Sequence, residues 1–483
     1  MKKTHLCLAV AAAAVSFQAA AVSVSATGRG QALIFPYYSV ESGQTTTLSL
    51  TNHTDRAKAL VVSFRESLNG RPVLTFNLYL GKRDVWTAGI FSLFQDGPAN
   101  LTTADRSCTV PGINSSIAVS LPTLPNGQRY VPFRNFAYVG SGSGTFPGAD
   151  GGPTLLTRTR TGFIEVIETA TLLPDSPSDL SANAPAAAGC PSLEAAWAPG
   201  GYWTQNALTD LAAPSGGLSG TVQLVDVSDG ALAATSATAL AQFNTATVHP
   251  RPGESEAGTS QAGTLGSART DDNTAQSLAF NAAGAVKASN WPVGQGYKAV
   301  SAVLAKASAG QEYLISAGIG AASDWVLNFP TRRYHTDPRL AAAAVAPFTT
   351  RFGGSSVTPA ATCESVQARF YDRDRASVPA QDLLLCGSTQ VLSFGTTSGA
   401  SAVLGAPSPL RLNTGTLTEG TMELDFSGFT STPAIGGETW SGLPVIGAWF
   451  YRYSNANAQP GQLGLYSGSA ALSGTSACTG EGC

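Results

Sequence analysis

Apolar and polar residues alternate most clearly from residue 45 onward. In Thr45-Thr46-Thr47-Leu48-Ser49-Leu50-Thr51 the leucines fall on one side of a period-two pattern, as in a half-buried strand. Asn52-His53-Thr54-Asp55 forms a polar turn, and residues 57–65 form a second strand. Asn69-Gly70 then signals a hairpin, because both residues tolerate positive φ. Residues 73–80 make a third strand, and Asp84-Val85-Trp86-Thr87-Ala88 opens a fourth. Strands at such short intervals predict an antiparallel, immunoglobulin-like sandwich.

The middle of the chain is less regular. Gly140 to Gly144 and residues 148–153 are loop-like, and residues 162–168 and 220–227 read as strands. Residues 173–200, rich in Pro, Ala and Ser, form a long excursion tied back by Cys190. Ala and Leu dominate residues 231–243, which predicts a helix there. Residues 250–274 are polar and glycine-bearing, as in an exposed loop. A short helix is predicted over 298–306. Residues 313–317 and 325–329 are predicted to pair around Gly318-Ile319-Gly320.

Strands return at 365–369, 390–393, 420–426 and 445–453. In the last of these, Val445, Gly447, Trp449, Tyr451 and Tyr453 share one face, while Ile446, Ala448, Phe450 and Arg452 share the other. Two apolar faces predict a central strand. No tandem repeat of fixed period occurs, which disfavours solenoids and propellers. The expected fold class is all-β, with two or three immunoglobulin-like or β-sandwich domains, a few short helices and long loops. The expected divisions are a signal peptide at 1–26, an N-terminal sandwich at 27–135, a central β-rich domain at 136–345, a C-terminal β-rich domain at 346–477 and a disulfide-closed tail at 478–483.

The leader expectation rests on Lys2 and Lys3, an apolar run from Leu6 to Ala14, and small residues at Ala19-Ala20-Ala21 and Val24-Ser25-Ala26. That is the layout of a secretory signal peptide, with maturation near Val22 or Thr27. Cys7, preceded by Thr4-His5-Leu6, does not form a lipid-attachment box. No later apolar run reaches the length needed to span a bilayer, so no transmembrane segment is expected. Localisation is predicted as exported: periplasmic, at the cell surface or extracellular.

Charged residues make up only 12% of the chain, with 52 Gly and 28 Pro. So low a charge share suits short strands and tight turns. A net charge of −3 provides no basic field, which argues against a nucleic-acid partner. Six cysteines follow the leader: Cys108, Cys190, Cys363, Cys386, Cys478 and Cys483. An even number in an oxidising compartment favours disulfides. Six cysteines allow many pairings; sequence neighbours suggest Cys108–Cys190, Cys363–Cys386 and Cys478–Cys483. A metal reading is weaker, since no CxxC spacing occurs; neither metal nor cofactor is expected.

Several segments carry a resemblance. They are Gly28-Arg29-Gly30-Gln31-Ala32-Leu33-Ile34-Phe35-Pro36-Tyr37-Tyr38, Phe76-Asn77-Leu78-Tyr79-Leu80 and Asp324-Trp325-Val326-Leu327-Asn328-Phe329-Pro330-Thr331. Ala299 to Leu304 and Gly442 to Gly447 extend the match along the chain. Together they resemble a group of secreted, β-rich proteobacterial envelope or extracellular proteins with no assigned biochemical role. The resemblance implies export and carries no catalytic residue across.

Candidate chemistry is sparse. Glu165 and Glu168 are the most tempting acid pair, yet three apart on a strand they point to opposite faces. Tyr371-Asp372-Arg373-Asp374-Arg375 and Asp271-Asp272-Asn273 offer oxygens to a cation, although the arginines oppose it in the first. His335, in Arg332-Arg333-Tyr334-His335-Thr336-Asp337, is a candidate proton carrier or anion ligand. His53 and His249 are lone histidines. GxSxG and HExxH are missing, and Gly318-Ile319-Gly320 with Ser323 falls short of GxGxxG.

Trp197, Tyr202 and Trp203, beside Gly200-Gly201, are the candidate ligand-binding residues, as an aromatic platform for sugars or as core packing. No catalytic residue is assigned. The expected function is therefore a non-enzymatic envelope or extracellular protein acting by binding or assembly, with itself or with a cell-surface or glycan partner. The alternatives are a secreted glycan hydrolase and a non-catalytic carbohydrate-binding protein.

Overall fold

The computed structural model describes residues 21–113, 121–140, 148–185, 188–253, 263–270, 272, 274–352, 363–395, 398–459, 462–480 and 483. Most of the expected leader, residues 1–20, lies outside them. The alternating segment forms the Gln44–Asn52 strand, buried at every second residue. It is central in a six-stranded sheet ordered Ala231–Ser236, Leu218–Asp226, Gln44–Asn52, Val85–Ser92, Ala99–Thr102 and Tyr130–Pro132.

An eight-stranded sheet faces it. Its order is Ser23–Val24, Thr238–Ala241, Ala32–Ser39, Thr161–Leu172, Lys58–Glu66, Pro72–Leu80 and Cys108–Val110, with Leu211–Ala212 added beside Thr161–Leu172. Phe35, Leu48, Leu50, Phe64, Trp86 and Ile164 fill the space between the two sheets. Every residue of Ala32–Ser39 and Lys58–Glu66 is buried, because this sheet is covered on its other face too. There Ile34, Phe163, Ile167 and Leu240 pack with helix Gly296–Leu304, Trp291 and Trp440. Farther along the same face, Ala59, Tyr79, Ala170 and Leu172 lie under helix Cys190–Trp197.

The second sandwich consists of two five-stranded sheets. One runs Gln381–Cys386, Cys363–Tyr371, Glu419–Asp425, Ser308–Leu314, Ser473–Thr475. The other runs Leu410–Leu412, Thr389–Phe394, Ala321–Asn328, Ile446–Gln459, Gln462–Ala471. Trp325, Phe370, Phe394, Leu424 and Trp449 form its core. In Ile446–Gln459, Trp449 faces that core while Ala448 and Phe450 face the first sandwich. The two-faced apolar pattern therefore marks a central strand, as expected. The fold is all-β and sandwich-like, and the disulfides are Cys108–Cys190, Cys363–Cys386 and Cys478–Cys483.

Several expectations need correction. Residues 231–243 form no helix; they form the strands Ala231–Ser236 and Thr238–Ala241, which pair with Leu218–Asp226 and Ala32–Ser39. Ladder pairing there overrides the helical propensity of Ala and Leu. The strands Ser308–Leu314 and Ala321–Asn328 do not pair with each other but belong to opposite sheets, so Gly318-Ile319-Gly320 lies in an arch between layers. Within 250–274, Leu265 and Ala268 are buried under helix Gly296–Leu304 rather than exposed. The sheets also cross the expected divisions. Strands on both sides of residue 135 share the first sandwich, and strands on both sides of residue 345 share the second.

Candidate functional site

The structure places Glu165 and Glu168 apart, each with its own base. Arg65 Nε lies 2.6 Å from Glu165, and Lys58 Nζ lies 2.8 Å from Glu168, with all four side chains buried. The backbone N–H groups of Ser215 and Gly216 also donate to Glu168. Both carboxylates are thus held in structural contacts and do not converge on a shared space.

The cation candidates are occupied locally. Asp372 Oδ1 accepts the N–H groups of Asp374 and Ala376, and Arg373 pairs with Glu419. Hydrogen bonds from Thr270 and Thr274 hold exposed Asp272 at a pKa of about 2. Asp271 and Asn273 lie outside the described residues. Among the described residues no three His, Cys, Asp or Glu side chains gather as metal ligands.

His335 is buried. Its Nδ1 lies 3.1 Å from the Val345 carbonyl and its Nε2 2.9 Å from Ser301 Oγ. The carbonyl assigns the proton to Nδ1. Burial pushes the imidazole down to about 3, so it remains neutral. This Ser–His contact joins residues 34 apart, and no local motif announces it. Among the described residues the His335 Nδ1 meets the Val345 carbonyl in place of a carboxylate, and Ser301 and His335 are both buried, so the pair does not have the geometry of a serine-hydrolase triad. His53 contacts Ser219 Oγ at 2.8 Å.

The tryptophan cluster is interior packing. Trp203 is 1% exposed and stacks on Tyr79, with ring centroids 5.2 Å apart. Trp197 Nε1 donates to Tyr79 Oη at 2.7 Å, Tyr79 Oη contacts His249 Nε2 at 2.9 Å, and His249 Nδ1 contacts the Ala207 carbonyl. Burial lowers His249 to about 4, which keeps it a neutral member of this chain. Tyr202 is half-buried against Trp203. A solvent-facing platform of Trp197, Tyr202 and Trp203 is therefore not formed, because the rings cover the sheet beneath the excursion.

Two features escaped the sequence. The first is a buried charged seam where the sandwiches meet. Arg71 Nε and Nη2 each donate to Asp337 at 2.8 Å. Arg158 donates to Glu66 and to Asp150, and Asn69 Nδ2 donates to Asp150 and Asp337. Glu66 also accepts the N–H groups of Leu68, Asn69 and Arg71, which shapes the hairpin that Asn69-Gly70 predicted. Burial pushes the Asp150 carboxyl up, but Arg158 outweighs it and holds the group below its ordinary value. The hairpin carbonyls of Ser67 and Leu68 accept Ser388 N–H. Gly387 takes φ +76° there, and a Cβ would come within 2.8 Å of Ser67 O, so only glycine fits.

The second feature is a groove of about 620 Å³. Leu74 and Phe76 from the Pro72–Leu80 strand, Pro111, Ile113 and Val131 line its apolar side. Helix Cys190–Trp197 supplies Glu194 and Trp197, three residues apart and therefore on one helix face. The Cys108–Cys190 disulfide fastens the first residue of that helix to the edge strand Cys108–Val110, so the two walls are covalently joined. Of the predicted binding residues, Trp197 alone reaches this groove. Compared with known proteins, the chain matches no family model, no curated protein and no solved structure.

Proposed function

We propose that the chain is an exported, non-enzymatic protein that acts by binding or assembly in the cell envelope or outside the cell. The observation that carries this reading is the state of its chemical groups. Buried Glu165, Glu168, Asp150 and Asp337 are held by bases, and His249 and His335 are kept neutral inside packed layers. The groove, by contrast, is open and apolar, as suits a binding site. Three disulfides favour an oxidising compartment. No helix among the described residues is long and apolar enough to cross a membrane.

The leader reading gains a specific form. Val22 is 2% exposed, and Ser23–Val24 pairs with Thr238–Ala241. Cleavage ahead of Val22 keeps this strand, whereas cleavage ahead of Thr27 removes it. Fractionation of the native host, with N-terminal sequencing of the recovered protein, tests the proposal. The expected result is protein in the periplasm, on the surface or in the medium, beginning at Val22. Cytosolic protein with its leader intact and six free thiols would overturn export, and recovery only as a free monomer without any bound partner would count against binding and assembly.

A further inference from the structure

The outer face of the six-stranded sheet carries a glycine that the fold does not need. Gly89 stands within Val85–Ser92, paired with Thr47 on one side and Thr102 on the other, and the register runs through it without a bulge. Its φ lies outside the left-handed region. The nearest atom to a Cβ placed there would be Thr102 Cγ2 at 3.7 Å, an ordinary contact. Elsewhere in the strands, at Gly162, Gly220, Gly420 and Gly447, a Cβ would collide with a backbone carbonyl oxygen. A strand glycine without such a reason weakens its sheet, and it leaves the backbone open to close approach by another molecule.

Around Gly89 lies an open hollow of about 350 Å³, within the roughly 300–1,000 Å³ typical of small-molecule sites. Thr47, Ser49, Thr87, Gln128, Thr221 and Gln223 surround it, and no charged side chain among the described residues lines it. Thr47 Oγ1 donates to Gln223 Oε1 at 3.3 Å. The hydroxyls of Ser49, Thr87 and Thr221 and the Nε2 groups of Gln128 and Gln223 have no hydrogen-bond partner among the described residues. On the same face Phe91, two residues beyond Gly89, meets Tyr130, opposite Thr102, with ring centroids 6.0 Å apart.

We infer that this hollow binds a neutral sugar unit of a glycan, which lies over the bare backbone at Gly89. Serine and threonine hydroxyls both donate and accept, as sugar hydroxyls require of their partners. A charged ligand would shed its hydration here with no opposite charge to receive it. The next unit of the glycan extends over the half-buried rings of Phe91 and Tyr130, which offer apolar surface to its C–H face. The hollow is set on paired strands, so it is formed before the ligand arrives. This inference rests on the binding half of the proposed function and names the ligand class.

Calorimetric titration of the purified, disulfide-intact protein tests it, with cellopentaose, maltopentaose and mannopentaose as neutral probes and pentagalacturonate as the acidic control. At least one neutral probe is expected to bind saturably, and the acidic sugar about tenfold more weakly or not at all. In Gly89→Val the new side chain fills the hollow, so binding of that probe should fall about tenfold or more. The urea midpoint of this variant should stay level or rise, since valine suits a strand. Gln223→Ala, which keeps the glycine, should weaken binding severalfold. No saturable binding of any neutral probe, tighter binding of the acidic sugar, or full affinity in either variant would overturn the inference. A lowered midpoint in Gly89→Val would also overturn it, by showing that the fold requires the glycine. Failure here leaves the broader proposal standing, because a partner recovered with the fractionated protein would still show binding.

Discussion

The two sandwiches touch through two unlike contacts. At one, Arg71, Arg158, Glu66, Asp150 and Asp337 interlock around the 67–71 hairpin. At the other, Tyr37, Leu224 and Ala233 pack against Val326, Ala448 and Phe450, and uncharged hydrogen bonds flank them, from Ser467 to Leu232, Ser469 to Ala234 and Ser42 to Gly405. The apolar contact gains free energy from every carbon removed from water. The charged contact gains Coulomb energy but loses hydration, so its net contribution is small while its tolerance for error is low. One contact supplies adhesion; the other selects a single seating.

The largest test removes a single member of the charged contact. Arg158→Ala takes from buried Glu66 its arginine and leaves Asp150 with the more distant Arg71 at 3.9 Å, and is expected to cost about 3–5 kcal/mol in urea unfolding. Replacing Arg158 by Met together with Glu66 by Gln and Asp150 by Asn, which removes the charges but keeps acceptors for the hairpin and Gly152 N–H groups, should cost less. If the triple variant loses more than the single one, the charged seam is a source of stability and the contrast fails. Phe450→Ala should lose about 3 kcal/mol or more through the cavity it opens, with no rescue by a neighbouring change.

A somewhat smaller effect concerns the turn that receives the hairpin. Cys363–Cys386 closes 23 residues next to Gly387 and Ser388. Replacing both cysteines with serine should cost about 3 kcal/mol on the loop-entropy account; an unchanged unfolding midpoint would show that the turn is held by the hairpin alone.

Acid should act next in size. His335 and His249 are held at about 3 and about 4 in the folded chain, below their ordinary 6.5. The unfolded chain therefore takes up protons that the native state refuses. Their contribution is complete above pH 6.5 and is lost as pH falls toward those values, by about 2 kcal/mol for each histidine at pH 5. Asp150 has a depressed pKa, so its share persists above the ordinary carboxylate range and disappears at still lower pH. Urea midpoints that stay level between pH 7.5 and 5 would contradict the histidine part. The smallest expected change is Arg452→Ala at the open margin, where the 3.0 Å pair with Asp229 is partly hydrated; a loss above about 1 kcal/mol would be a surprise.

Much of the layering was legible in the chain. The alternation at 45–51, the Asn69-Gly70 signal and the two apolar faces of 445–453 all correspond to strands in their predicted settings. The three neighbouring cysteine pairs match the disulfides. Residues 231–243 misled because an Ala-rich segment on a ladder looks like one on a helix until its partners are known. Glu165 and Glu168 could not be read as structural, because Arg65 and Lys58 stand far earlier in the sequence. The groove was illegible for the same reason: residues 74–76, 111–113 and 194–197 become neighbours only after sheet and excursion are fastened together.

The eight-stranded sheet carries a demand on the order of events. Its second and third strands in space, Thr238–Ala241 and Ala32–Ser39, receive their outer cover from helix Gly296–Leu304 and from Trp440. A ribosome releases Ala32–Ser39 early and Trp440 near the end. It follows that for most of its synthesis the nascent chain holds a greasy surface that nothing of its own can yet hide, a state prone to clumping. Folding is then completed by residues born late, and a chain halted before Trp440 would keep one side of its founding sheet bare.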